Sequence, residues 1–238
     1  MPLIVQVKEL RKYFPIERGV FRQGHGFVKA IDGIDFKISK AATLGIAGRS
    51  GSGKSTLAKL LLRLISPTSG EIIYNPEEIS NFRRDVQIIF QNPYQSLSPK
   101  MRIRDILTEP LIIHRLNSKR DSKNKILASL KSVGLAPDIL NRFPIEFSGG
   151  QRQRICLARS LILQPKFLIL DEPVSSLDLT RQVEILDLLK RLKEKFCLTY
   201  VFITHNLDML REIADSIMFI DKGRITSGTA YEQNNQQG

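Results

Sequence analysis

The sequence predicts an α/β protein with a block of helices inserted into its middle. After Pro165, short apolar runs alternate with helical patterns, which is typical of a parallel sheet flanked by helices. Between residues 104 and 163, helical patterns dominate. In the last third of the chain we therefore expect strands at 167–170, 199–203 and about 216–220, and helices at about 179–196 and about 207–213.

The first third predicts mainly strands. Residues 3–10 and 31–38 show the alternation of a half-buried strand, and a loop rich in glycine and basic residues joins them from 15 to 29. Shorter strands are expected at 71–74 and 86–90. With 238 residues, the chain can bury a substantial core, and it carries no internal repeat.

One glycine-rich segment points to phosphate binding. It fits the pattern G-x-x-x-x-G-K-[ST], follows the apolar run 43–47 and precedes a helical run at 57–64. Backbone N–H groups of such a loop, and the positive end of the following helix, favour bound phosphate. A Gly/Ser turn with a surface lysine is the alternative, but strand, loop and helix all agree with the phosphate loop. The predicted nucleotide-binding residues are Gly48, Arg49, Ser50, Gly51, Ser52, Gly53, Lys54, Ser55 and Thr56.

Several polar residues follow at the ends of predicted strands. Four apolar residues at 167–170 lead into Asp171 and Glu172, and Gln91 and His205 each come just after an apolar run. Lys54 would contact the β- and γ-phosphates, while Ser55 and Asp171 would hold Mg²⁺. Glu172 would accept a proton from an attacking water.

A second anion-binding segment precedes another predicted helix. Ser148, Gly149, Gly150 and Gln151 form this SGGQ segment, whose N–H groups and serine hydroxyl suit an anion in the same way as the phosphate loop. Asp178 follows the two carboxylates in the sequence Ser-Leu-Asp.

In this order, the motifs resemble those of the nucleotide-binding subunit of ATP-binding cassette (ABC) transporters. The resemblance implies a P-loop NTPase fold with a RecA-like core, an N-terminal antiparallel β subdomain and an inserted helical subdomain at about 92–163. It implies one nucleotide-binding domain over residues 1–232, and we expect the polar residues 233–238 to be disordered.

The resemblance also implies residue roles. Gln91 would contact Mg²⁺ and the attacking water, and His205 would contact the γ-phosphate of ATP. Phe14 lies at the adenine-stacking position, with Tyr13 as the neighbouring alternative. Each ATP would lie between the phosphate loop of one cassette and the SGGQ segment and Asp178 of its partner.

Longer stretches resemble one group in particular, the ATPase subunits of bacterial dipeptide, oligopeptide and nickel importers. These stretches are 13–15, 28–33, 89–99, 146–154 and 171–178. The implied partners are a second ATPase, identical or a sibling, two transmembrane permeases and an external solute-binding protein. The implied location is the cytoplasmic face of the bacterial inner membrane. The loop from 92 to 102 would couple to the permeases, with Tyr94 and Leu97 exposed for docking.

Charge and motif content help to choose among other classes of phosphate-loop protein. The net charge of +12 suits nucleic acid, anionic lipid or ATP, but a nucleic-acid ABC ATPase would be expected to carry tandem cassettes or zinc modules. A small-molecule kinase would leave SGGQ unexplained. We therefore expect no nucleic-acid partner. No apolar run reaches the roughly 18–20 residues needed to span a bilayer, and Cys156 and Cys197 are expected to be buried, reduced thiols.

Overall fold

The computed structural model describes residues 2–16, 26–90, 96–116 and 118–230. The expected tail 233–238 lies outside these residues. The chain divides into two compact units, one formed by Met1–Ile79 with Val201–Gly238 and the other by Ser80–Tyr200. None of the described helices combines the length and the apolar composition that crossing a membrane requires.

The first unit contains an antiparallel sheet, a parallel strand pair and two helices. Its elements are β1 (Leu3–Pro15), β2 (Phe27–Ser39), β3 (Thr43–Ala47), α1 (Lys54–Leu61), β4 (Ser69–Tyr74), α7 (Leu207–Ile213), β8 (Ser216–Asp221) and β9 (Arg224–Ala230). β7 (Thr199–Ile203) spans the division between the units.

The antiparallel sheet has the strand order β2-β1-β4, as the expected N-terminal β subdomain requires. β1 and β2 are longer than the sequence predicts, because their pairing continues to Pro15 opposite Phe27 and so includes part of the predicted loop. β3 pairs in parallel with β8, and β8 pairs antiparallel with β9, a strand that the sequence analysis did not predict.

The core of the first unit surrounds β3. All five of its residues are buried, and α7 packs closely against its middle. A Cβ atom added to Gly45 would lie 3.0 Å from both Ala214 Cβ and Leu210 Cδ2. This tight packing fixes the strand that leads into the glycine-rich loop.

The second unit holds the helical block and a parallel strand pair. Its elements are α2 (Phe82–Asp85), β5 (Val86–Ile89), α3 (Ile103–Ile113), α4 (Lys119–Ser132), two 3₁₀ turns (Pro137–Asn141 and Pro144–Glu146), α5 (Gly149–Leu161), β6 (Phe167–Asp171) and α6 (Leu179–Phe196). β5 and β6 are parallel, with Ile89 opposite Leu170. The predominantly helical character expected between 104 and 163 is confirmed.

Candidate functional site

The glycine-rich loop joins β3 to α1 and is tightly enclosed. A Cβ atom on Gly48 would lie 2.3 Å from the carbonyl oxygen of Ile220, and one on Gly53 would lie 2.3 Å from that of Ala30. Gly53 also has a φ of 111°, which side chains rarely adopt. Only glycine fits at these two positions, so the loop packs its backbone directly against that of Ile220 and Ala30.

Lys54 is folded onto the loop that precedes it. Its side chain is buried, and its Nζ donates hydrogen bonds to the carbonyl oxygens of Gly48 and Arg49, both at 2.8 Å. The ammonium group is thus held in the middle of the loop by two neutral acceptors. Phosphate oxygens would be stronger partners for the same charge.

Ser52, within the same loop, has a buried polar side chain. Its Oγ is buried and has no hydrogen-bond partner, although buried hydroxyl groups normally have one. This hydroxyl group lies on the inner side of the loop, where a Cβ atom on Gly48 would come within 2.6 Å of it. The tight glycines and the held ammonium fit a nucleotide phosphate.

His205 lies close in the fold to the start of the glycine-rich loop. The backbone N–H of Thr204 donates to the carbonyl oxygen of Ile46 at 3.2 Å, and Ile46 precedes Gly48 by two residues. Asn206 caps α7 by accepting from the N–H groups of Asp208 and Met209. His205 is therefore held between two anchored neighbours while its side chain stays exposed.

The two candidate aromatic residues have different surroundings. The Tyr13 hydroxyl donates to the Asp32 carboxylate, which also accepts from Arg224 Nε at 3.0 Å and Nη2 at 2.8 Å. The hydrogen bonds from Tyr13 and Arg224 lower the pKa of Asp32 to about 2. Phe14 is exposed, with Lys12 Nζ 5.0 Å from its ring centroid. Phe14 is thus the more exposed of the two rings, and adenine stacking on it stays a prediction.

In the second unit, the predicted carboxylates lie at the end of β6. Asp171 is its last residue, and Glu172 follows with a φ of 48°. A left-handed conformation costs roughly 1–2 kcal/mol for a residue with a side chain and persists only where the surroundings impose it. The N–H and Oγ of Ser175 donate to the Glu172 carbonyl oxygen at 3.3 and 3.1 Å. The chain therefore maintains a strained backbone at the proposed general base.

The SGGQ segment begins α5 with a reciprocal cap. Ser148 Oγ accepts from the Gln151 N–H at 3.4 Å, and Gln151 Oε1 accepts from the Ser148 N–H at 3.1 Å. The N–H groups of Gly149 and Gly150 belong to the first turn, where a helix offers no internal acceptor. The Ser148 hydroxyl can still donate its own proton. The segment therefore has the donors for an anion, and the Gln151 side chain serves as a cap.

Asp178 lies near the SGGQ segment within the second unit. It is the N-cap of α6 and accepts from the Arg181 N–H at 3.0 Å. A Cβ atom on Gly149 would lie 3.0 Å from Leu177 Cδ2, and one on Gly150 would lie 3.2 Å from Arg181 Cδ. The SGGQ segment and Asp178, which are both predicted to face the ATP of a partner cassette, are thus packed together.

The sequence analysis expected functional roles for three residues after β5, namely Gln91, Tyr94 and Leu97. Gln91 and Tyr94 lie outside the described residues. Leu97 was expected to be exposed, and this is wrong, because only 2% of its surface is accessible. Its apolar side chain belongs to the core of the second unit.

The second unit also contains a cavity of about 600 Å³. Its lining includes Phe90, Ile113 and Asp171.

The expectation that both cysteines are buried is right for one of them and wrong for the other. Cys156 is buried, and burial raises the pKa of its thiol to about 12. Cys197 is exposed, contrary to the expectation. It ends α6 in a left-handed conformation with a φ of 51°, and apolar neighbours in the sequence did not indicate that turn.

Sequence reasoning missed a turn that supports the glycine-rich loop. The β8–β9 turn, Lys222 and Gly223, has φ values of 46° and 77°, and the Gly223 N–H donates to the Ser52 carbonyl oxygen at 3.0 Å. A glycine between an apolar run and a second alternating run is a signal of a hairpin turn, because such turns need residues of positive φ. That signal would have found the turn and β9.

Comparisons with known proteins agree on one family. The family model described as "ABC transporter" matches residues 31–175. The oligopeptide transport ATP-binding protein AppF of Bacillus subtilis (strain 168) is 43% identical over 230 residues, which are 92% of this chain and 70% of that protein. The dipeptide transport ATP-binding protein DppF of Escherichia coli (strain K12) is 40% identical over 235 residues, with 95% and 70% covered.

Solved structures give the same result. The ATP-binding cassette MJ0796, solved as a dimer in a post-hydrolysis state with ADP and Pi, has a TM-score of 0.79 and 28% identity, covering 96% of this chain and 99% of that one. The predicted P-loop NTPase fold is thereby confirmed. Family and fold together make the chain an ATPase that binds nucleotide. On this evidence, the chain belongs to the ABC transporter family.

Proposed function

We propose that the chain is the ATP-hydrolysing subunit of a membrane importer for peptides, nickel or a similar solute. Its enclosed glycine-rich loop carries this proposal, because only glycine fits at Gly48 and Gly53 and the Lys54 ammonium is held among the carbonyls of the loop. Peptides are favoured among the solutes, since AppF and DppF are named as oligopeptide and dipeptide transport proteins.

ATP is the substrate, and the first unit supplies groups for both of its ends. The N–H groups of residues 48–56 and the Lys54 ammonium would bind the phosphates, and Phe14 would stack on the adenine. His205 would contact the γ-phosphate. These roles agree with the exposure of Phe14 and His205 and with the placement of Thr204 beside Ile46.

The remaining groups would serve the metal and the attacking water. Ser55, Asp171 and Gln91 offer hydroxyl, carboxylate and amide oxygens, the hard ligands that Mg²⁺ prefers. When bound, Mg²⁺ would offset the negative charge of the phosphates. Glu172 would accept the proton of the attacking water, and the backbone strain at this residue agrees with a position fixed for function.

A second cassette, identical or a sibling, would complete the active unit. The SGGQ segment and Asp178 would contact the ATP bound by the partner, so that ATP binding closes the dimer and hydrolysis reopens it. MJ0796 is described as a dimer, which supports this arrangement. Two permeases would form the channel, and a solute-binding protein would deliver the solute. The subunit would lie at the cytoplasmic face of the bacterial inner membrane.

The direct test is ATP hydrolysis by the purified chain and its Glu172→Gln variant. Glutamine keeps the size and an acceptor oxygen of the side chain but takes up no proton, so turnover should fall by about 10²–10⁴-fold. ATP binding should persist, because the phosphate loop is unchanged. Glu71→Gln, at an exposed ion pair with Lys8, is the control and should hydrolyse ATP normally. A Glu172→Gln variant with full turnover would remove Glu172 from the reaction.

A further inference from the structure

We propose that Asp32 is a positioning residue that fixes the adenine-stacking strand relative to the phosphate loop. The inference rests on the proposed function, since it takes Phe14 as the partner of the base and residues 48–56 as the partner of the phosphates. All the groups involved belong to the first unit. Asp32 itself would touch neither part of the nucleotide.

The carboxylate of Asp32 connects two separate strands. Its Oδ1 accepts from the Tyr13 hydroxyl on β1, next to Phe14. Its Oδ2 accepts from Arg224 Nε and Nη2 at the start of β9, at 3.0 and 2.8 Å, and Lys29 Nζ lies 3.7 Å away. The Asp32 side chain is only 9% exposed, although it carries a charge. Hydrogen bonds to a charged carboxylate are stronger than neutral ones, and here they join β1 and β9 to β2 through one side chain, although Arg224 is 67% exposed.

The backbone of Asp32 connects to the phosphate loop through one glycine. Asp32 N–H donates to the Gly223 carbonyl oxygen at 2.8 Å, and Gly223 N–H donates to the Ser52 carbonyl oxygen at 3.0 Å. A Cβ atom on Gly223 would lie 2.8 Å from the carbonyl oxygens of Lys29 and Ala30. The turn is therefore pressed between β2 and the loop. Arg224 follows Gly223 directly, so Asp32 binds the turn by both its backbone and its side chain.

These contacts make the two ends of the nucleotide site depend on one carboxylate. ATP gains affinity from stacking only if the aromatic ring and the phosphate loop are held at the right spacing before binding. Inorganic tripolyphosphate would use the phosphate loop alone. Loss of the carboxylate should therefore weaken ATP binding much more than tripolyphosphate binding, whereas a general loss of stability would change both.

Isothermal titration calorimetry with ATP and with inorganic tripolyphosphate tests this difference. Asp32→Asn removes the charge but keeps the backbone N–H, and Tyr13→Phe removes one hydroxyl group and keeps the ring. Both should bind ATP about three- to tenfold more weakly, which is the net contribution of one ordinary hydrogen bond. Tripolyphosphate binding should stay as in the wild type. Asp35→Asn is the control, because Asp35 lies on the same strand and accepts from Glu9 N–H instead.

The outcomes separate this inference from the function on which it rests. Equal weakening of both ligands would overturn it, since Asp32 would then only support the phosphate loop. Unchanged ATP binding in both variants would overturn it as well. A wild-type chain that binds neither ligand would contradict the proposed function itself. If Asp32→Asn does not fold, Tyr13→Phe alone decides between these outcomes.

Discussion

At the scale of single residues, Lys54 connects the fold to the chemistry. Its ammonium lies within the loop, 2.8 Å from each of two carbonyl oxygens. These contacts orient the long side chain, which lowers the conformational entropy that ordering it around ATP would cost.

Lys54→Ala should therefore weaken ATP binding about tenfold to a hundredfold, the effect of losing hydrogen bonds from a charged donor. Lys59→Ala is the matched control, because Lys59 lies on the same helix and is exposed. Equilibrium binding of a fluorescent ATP analogue measures both variants. Equal affinity of the two alanine variants would mean that Lys54 does not bind phosphate.

The two cysteines should differ strongly in reactivity. Cys156 is buried and its thiol pKa is raised to about 12, so almost no reactive thiolate forms near neutral pH. Cys197 is exposed. Titration of the native protein with a thiol reagent should label one thiol at pH 8, and denatured protein should show two. Cys197→Ser should leave the native protein unlabelled; rapid labelling of this variant would contradict the burial of Cys156.

At the scale of elements, a buried arginine holds the approach to the SGGQ segment. Arg152 is 8% exposed and donates from Nε to the Pro144 carbonyl oxygen at 2.7 Å and from Nη2 to that of Ile145 at 3.1 Å. It thus joins the 3₁₀ turn before Ser148 to the first turn of α5. The orientation of the SGGQ donors depends on this connection.

Replacing Arg152 with Met should lower the free energy of unfolding by about 2 kcal/mol, because hydrogen bonds from a charged donor are lost. Arg191→Met is the control at an exposed position of α6 and should change it by less than about 0.5 kcal/mol. Urea unfolding followed by circular dichroism compares the two variants. Equal stability would show that the Arg152 contacts contribute nothing.

Local patterns predicted most elements but not their extent. β3, β6 and the glycine-rich loop were readable because four or five apolar residues and a fixed spacing of Gly, Lys and Ser are local signals. The full length of the β1–β2 hairpin was not, because pairing partners far apart in the sequence decide where strands end. Leu97 was misjudged for a similar reason: proline and serine neighbours indicate a loop, but burial depends on distant packing.

Motif order predicted the candidate site residues, but it did not predict the groups that support them. Nothing local marks Asp32 as the partner of Arg224, since 192 residues separate them. The contact of Gly223 with Ser52 is likewise a product of the fold. Motif order can therefore nominate candidate site residues, but the groups that would position them require the structure.

At the scale of the whole molecule, the sequence contains one phosphate loop and one SGGQ segment. Both segments have donors for an anion, and the family resemblance assigns them to two different nucleotides. ATP would then act as part of the interface between two cassettes. An isolated chain should hydrolyse ATP weakly, with a specific activity that rises with protein concentration as dimers form.

The most direct measurement is the molar mass of Glu172→Gln by size-exclusion chromatography with light scattering, with and without Mg·ATP. The variant should be a monomer without nucleotide and a stable dimer with ATP, because binding is intact and hydrolysis is blocked. Lys54→Ala should remain a monomer in both conditions. If Glu172→Gln saturates with ATP but stays monomeric at every concentration tested, and wild-type activity is independent of concentration, ATP does not join two copies of this cassette.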